Sequence, residues 1–152
     1  PQLYAANREI ICESDVTELK VKLEKQYCRI NVMVVGLDCR VRIRGDVMGV
    51  DMNDLTPLPG LFCVEHSPVI DIHKKSQHFV FDVPRQIDDS LMLEMVVESS
   101  GLSPIYTYDL GKRLMESGVD WNKPSLDDVY VNIEYMDNKF VFEIQNWDKI
   151  EL

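Results

Sequence analysis

Three histidines and one cysteine, Cys63, His66, His73 and His78, fall within sixteen residues of one another. These are ligand types that zinc favours, and Cys63 and His66 have the CxxH spacing of some zinc sites. A closed site needs a second closely spaced pair, and the chain has none. His73 and His78 are also too far apart for one helical turn face. The pattern therefore predicts surface histidines beside a core thiol, with no metal and no cofactor. A cysteine–histidine nucleophile would further need a base and an oxyanion site, and no motif marks either. Asp46, Asp51, Asn53 and Asp54 make an oxygen-rich stretch, but it lacks the ligand register of a calcium loop and is expected to be a turn capped by its own side chains. Phosphate loops, dinucleotide fingerprints and nucleophile elbows are absent from the sequence, so no catalytic residue is assigned.

The basic residues are more informative. Arg40, Arg42 and Arg44 recur at period two in CRVRIR, which in a strand places three guanidinium groups on one face. Lys20 and Lys22 repeat the pattern in ELKVKLE. Guanidinium groups suit planar carboxylates and phosphates. The five residues are the candidate partner-binding set, and an extended acidic protein segment is the expected ligand; a solvated strand face and pairing with the chain's own acids are the alternatives.

Overall charge narrows the partners. The 152 residues carry a formal charge of −10. Residues 1–50 hold eight bases and seven acids, whereas the remainder hold eight bases and nineteen acids. Such an acidic surface disfavours nucleic acid and anionic membranes and leaves a protein partner, or a second copy of the chain, as the expectation. At 45% apolar residues the chain can build one sizeable core. It starts at Pro1 without a basic-then-apolar leader pattern, and is read as a single β-rich domain, 1–152, excised from a larger protein. Cys12, Cys28, Cys39 and Cys63 are scattered without a CxxC pair, which fits reduced thiols and a cytoplasmic setting better than a disulfide framework.

The elements that would position these residues are mostly strands. Alternation predicts strands over 18–24, 29–35, 39–44, 78–83 and 91–97, with short apolar runs at 61–64 and 69–72. Gly45-Asp46 is expected to end the third strand, and 51–60, with two prolines, to form a loop. Residues 109–117 have helical spacing, with Gly118 as the stop. The clearest prediction is a terminal hairpin: Val129, Val131, Ile133 and Tyr135 alternate, then Phe140, Phe142 and Ile144, about an Asp137-Asn138 turn. The fold class is mainly β, a β-sandwich with one short helix; the alternative is an α+β domain with a dominant antiparallel sheet.

The stretch HFVFDVPRQIDDSLMLEMVV, 78–97, resembles the central strand pair of C2 domains, with 61–65 before it and 108–115 after it as further correspondences. The resemblance implies an eight-stranded sandwich used for contacts with lipid, calcium or protein. The loop after LMLEMVV, Glu98-Ser99-Ser100-Gly101, lacks the paired aspartates of calcium-binding members, so the calcium-independent, scaffolding kind is implied. The functional expectation is a non-catalytic protein-interaction or scaffolding module. An enzyme subdomain with a site assembled from scattered His, Cys and Asp residues, and a self-assembling viral or structural protein, are the alternatives.

Overall fold

A computed structural model describes residues 2–12, 15–16, 18–98, 101 and 103–146. The described chain is mainly β, with one short helix. Two larger sheets lie face to face. One has five strands in the order β11-β10-β3-β7-β6, comprising β3 (Tyr27–Val35), β6 (Val69–Asp71), β7 (Ser76–Pro84), β10 (Val129–Met136) and β11 (Lys139–Asn146). The other has four in the order β5-β4-β8-β9, comprising β4 (Cys39–Val50), β5 (Pro57–His66), β8 (Met92–Val97) and β9 (Ile105–Asp109). A two-stranded ribbon, β1 (Tyr4–Ala5) with β2 (Glu24–Lys25), stands at one end. Pairings are antiparallel except β10 with β3, which run parallel. None of the described helices is long and apolar enough to cross a membrane.

Alternation explains the core. Ile30, Val32 and Val34 of β3, Phe79 and Phe81 of β7, and Val129 and Ile133 of β10 point inward from one sheet. Val41 and Ile43 of β4, with Leu93 and Met95 of β8, meet them from the other. All these side chains are removed from water, so a one-residue slip of any strand would exchange its buried and wet faces.

The terminal hairpin forms as predicted. Tyr135 lies opposite Phe140 and Met136 opposite Lys139, and Asp137 and Asn138 have φ of 50° and 58°. Both values are left-handed, as this tight turn requires, and Asp and Asn tolerate that region better than most residues. The helix, α1 (Leu110–Glu116), also forms. Asp109 caps it by accepting a hydrogen bond from the Lys112 amide at 3.3 Å, and Gly118 follows with φ of 93°. Leu110 and Leu114 face the core. Gly111 seats the first turn against the backbone of Asp89, where a Cβ would come within 2.2 Å of the carbonyl oxygen.

Three expectations are corrected. First, Gly45-Asp46 does not end β4, which runs on to Val50 through register shifts between Gly45 and Val47 and between Val47 and Gly49. Gly45 is there for close approach: a Cβ would meet the Phe62 ring at 2.6 Å and Leu91 at 2.9 Å. Second, the proline-rich stretch is loop only to Thr56; Pro57 and Pro59 lie in β5 itself. β5 is an edge strand, where a missing N–H is tolerated. Third, residues 18–23 are not a strand, and only Glu24–Lys25 pairs, with Tyr4–Ala5. In addition β9, over which local spacing predicts no strand, pairs along β8. The two halves of the C2-like stretch, β7 and β8, lie in opposite sheets.

Arg85 organises the end of the sandwich near β2. Its Nε donates to Gln26 Oε1 at 3.1 Å, its Nη1 to the carbonyl oxygens of Lys123 at 2.7 Å and of Trp121, and its Nη2 to that of Pro124 at 3.0 Å. Burial pulls its pKa below the ordinary arginine value, and the four acceptors offset the cost of desolvating the cation.

Candidate interaction surfaces

Arg40, Arg42 and Arg44 do stand on one outward face of β4, flanked by β5 and β8. The register places Arg42 opposite Glu65 on one side and Glu94 on the other. Each arginine meets a carboxylate. Arg40 pairs with Glu65 at 3.3 Å and Glu98 at 3.2 Å, while Glu94 accepts from Arg42 through one oxygen and from Arg44, at 2.8 Å, through the other. Glu94 is buried between its two partners. Its hydrogen bond holds the Arg42 pKa above the ordinary value. The ladder is thus a cross-strand belt of alternating charge, in which opposite-charge neighbours support the sheet. Arg40 and Arg44 nonetheless keep about half of their side-chain surface in water, 53% and 54%.

Lys20 and Lys22 are exposed on a segment that belongs to no sheet. That segment belongs to the connection between β1 and β2, an arm whose described residues are 6–12, 15–16 and 18–23 and whose two ends are anchored by the pairing of those strands. Tyr4 pairs with Lys25 and Ala5 with Glu24, the Gln26 amide donates to the Leu3 carbonyl at 2.9 Å, and the Tyr4 ring meets Tyr27 edge-on at 5.7 Å. Further out, the Asn7 amide donates to the Asn53 carbonyl. Beyond this, the apolar side chains face water: Leu19 is 48% exposed, Val21 45% and Leu23 59%. Ile10, Ile11 and Val16 are exposed as well.

A second apolar feature had no signal in the sequence. β9 and β11 form the same side of the sandwich, one over the other. Tyr106 meets Phe140 with ring centroids 4.7 Å apart, Tyr108 stacks on Phe142 at 5.2 Å, and Tyr135 meets Phe140 at 5.0 Å. The inward residues of β10 are fully buried, whereas Phe140, Phe142 and Ile144 on β11 are only half-buried. This seam depends on which strands become edges, which local spacing does not reveal.

The histidines and cysteines are dispersed. Cys63 and His66 lie on the edge strand β5, His73 in the β6–β7 turn and His78 on the outer face of β7. The His66 ring packs against Phe81 at 5.3 Å. Among the described residues, no three His, Cys, Asp or Glu side chains gather closely enough to hold a metal ion. The thiols of Cys28 and Cys39 are pushed by burial up to about 12 and about 11, which makes them poor nucleophiles. The acidic turn spends its oxygens locally. Asp51 Oδ1 accepts from the Asn53 amide at 2.7 Å, and Asp54 Oδ1 from the amide and hydroxyl of Thr56 at 3.0 and 2.7 Å, which lowers the Asp54 pKa.

No family model and no curated protein matches the chain. Among solved structures it is similar to a "putative cell adhesion protein" from Bacteroides uniformis, with a TM-score of 0.46 and 10% identity over 82% of this chain and 52% of that one. It is also similar to a "putative cell adhesion protein" from Bacteroides ovatus, with a TM-score of 0.44 and 9% identity over 84% of this chain and 48% of that one. The chain therefore spans about half the length of the structures it resembles.

Proposed function

We propose that the chain is a non-catalytic protein-interaction module that engages its partner along the N-terminal arm by pairing of extended backbone. One observation carries this reading: Leu19, Val21 and Leu23 have the alternation of a half-buried strand, yet they stand in water and belong to no sheet of their own chain. Apolar side chains held in water at this density suit a contact site, and a segment with strand-like alternation outside its own sheets is suited to adding a strand to another sheet.

Lys20 and Lys22, which alternate with these apolar residues in the sequence, favour an acidic partner segment. Arg40, Arg42 and Arg44 offer that segment a second, weaker contact. It would have to compete with Glu65, Glu94 and Glu98, so its contribution is of the small size typical of exposed ion pairs, about 0–1 kcal/mol.

The test is capture from the source cells, with the wild-type chain compared with a variant carrying Leu19→Asp, Val21→Asp and Leu23→Asp. A protein retained in stoichiometric yield by the wild type and lost by the variant, with backbone amides 18–24 slowed in hydrogen exchange in the complex, is the expected result. Identical retention by both chains, or exchange at 18–24 unchanged in the complex, would remove the arm from the reading.

A further inference from the structure

The outer face of the five-stranded sheet holds a hollow of about 460 Å³, within the range of about 300–1,000 Å³ usual for small-molecule sites. Two cross-strand rows build it. His78 of β7, Met33 of β3 and Asn132 of β10 lie side by side in one; Asn31, Tyr130 and Gln145 of β3, β10 and β11 lie side by side in the next. Rows two residues apart repeat every ~6–7 Å along the strands, and neighbouring strands lie ~4.8 Å apart. The hollow is therefore lined by a grid of side chains on a sheet whose backbone is already paired.

Its chemistry is selective. The walls are mostly apolar, with Met33 and Val69 both exposed there. Asn31, Asn132 and Gln145 supply three carboxamides, each of which can both donate and accept. Asn31 is buried although it is on the outer face, and its Nδ2 donates to the Val129 carbonyl at 3.4 Å. Asn132 donates to Glu134 at 3.3 Å, while its Oδ1 is buried with no partner among the described residues. An acceptor left unsatisfied in this way asks for an explanation. Asp71 and Lys74 are the charged residues of the lining and cancel.

A fully apolar ligand would strip water from the amides without replacing their hydrogen bonds. An anion would find one ammonium offset by one carboxylate. A peptide adding as a strand needs an open edge, and the hollow lies on a face. What remains is a neutral molecule with an apolar side and several hydroxyl groups.

We infer that the hollow binds a saccharide unit, with the C–H face of the ring against Met33, Val69 and Tyr130 and its hydroxyls exchanging hydrogen bonds with Asn31, Asn132 and Gln145. The site is independent of the arm.

The test is titration of the ¹⁵N-labelled chain with glucose, galactose, N-acetylglucosamine and their neutral disaccharides. Parallel titrations use sialic acid, as an anionic sugar, and a short neutral peptide. Saturable shifts of the side-chain amides of Asn31, Asn132 and Gln145 with at least one neutral sugar are expected. Met33→Trp, which fills the hollow from the surface, should abolish them, and Gln145→Leu should weaken binding about fivefold or more, equivalent to about 1 kcal/mol. The remaining amide spectrum reports that each variant is folded, and Gln145→Leu decides the matter if Met33→Trp is not. Absence of a saturable shift with every neutral sugar, a response confined to sialic acid or to the peptide, or full affinity in the folded variants would each overturn the assignment.

Discussion

The arm and the terminal hairpin have the same sequence rhythm and opposite fates. Leu19, Val21 and Leu23 alternate with charged residues as regularly as Val129, Val131 and Ile133 alternate with Tyr130 and Asn132. The second set is fully buried; the first stands in water. Two things separate them. The hairpin carries its own partner two residues away, because Asp137 and Asn138 reach the left-handed conformation that reverses the chain. It also docks on β3, a strand buried on its inner face. The described residues 18–23 of the arm pair with no strand of their own chain. Period two fixes which side chains share a face; it does not provide something for that face to cover.

The widest gap between the regions should appear on truncation. Ile133→Ala is expected to cost about 2–5 kcal/mol in urea unfolding, because it leaves a cavity between two packed sheets. Thiol chemistry should separate the regions next. Cys12, in the arm, and Cys63 are exposed, whereas Cys28 of β3 and Cys39 of β4 are buried. In native protein at mild alkaline pH, a disulfide reagent should label Cys12 and Cys63 promptly and leave the other two until the chain unfolds. The same burial sets a pH dependence. The ordinary thiol value is 9.0, and the folded values are about 12 for Cys28 and about 11 for Cys39. The folded state holds these protons more tightly, so their contribution is complete below pH 9 and is lost as pH rises through 11 to 12. Unfolding free energy that stays level across that window, with a Cys28→Ala/Cys39→Ala variant as control, would contradict the assignment.

A smaller effect tests the turn that makes the hairpin unlike the arm. Asn138→Val places a β-branched residue at φ of 58° and should cost about 1–2 kcal/mol, with faster hydrogen exchange along β11. The smallest effect is at the arm itself. Val21→Ala in the isolated chain should change stability by less than about 0.5 kcal/mol, whereas a loss of 2 kcal/mol or more would mean that the arm packs on its own chain.

Local patterns carried much of the fold. The hairpin, the helix with its Gly118 stop, and the inward faces of β4, β7 and β8 are all legible in spacing and turn chemistry. The failures share a cause: each depended on a neighbour distant in sequence. Gly45 looks like a strand end until Phe62 and Leu91 are seen to exclude a side chain there. Pro57 and Pro59 look like a loop until β5 is known to be an edge. The three arginines were legible as a ladder, but Glu65, Glu94 and Glu98 became their partners only through the register of three strands. The sheet-face hollow was equally hidden, since Asn31, Asn132 and Gln145 become neighbours only when β3, β10 and β11 lie side by side.

Arg85 also defines a path for mechanical load. The arm runs from β1 back to β2, whose neighbour Gln26 is held by the Arg85 guanidinium, and the same group grips the carbonyls of Trp121, Lys123 and Pro124. The β1–β2 ribbon is only two residue pairs long, so tension on a partner-bound arm would peel it early. The force would then reach Gln26, where one side chain spreads it to the segment that leads from α1 into β10. Arg85 therefore ties the point where the arm rejoins the sandwich to the segment that precedes β10.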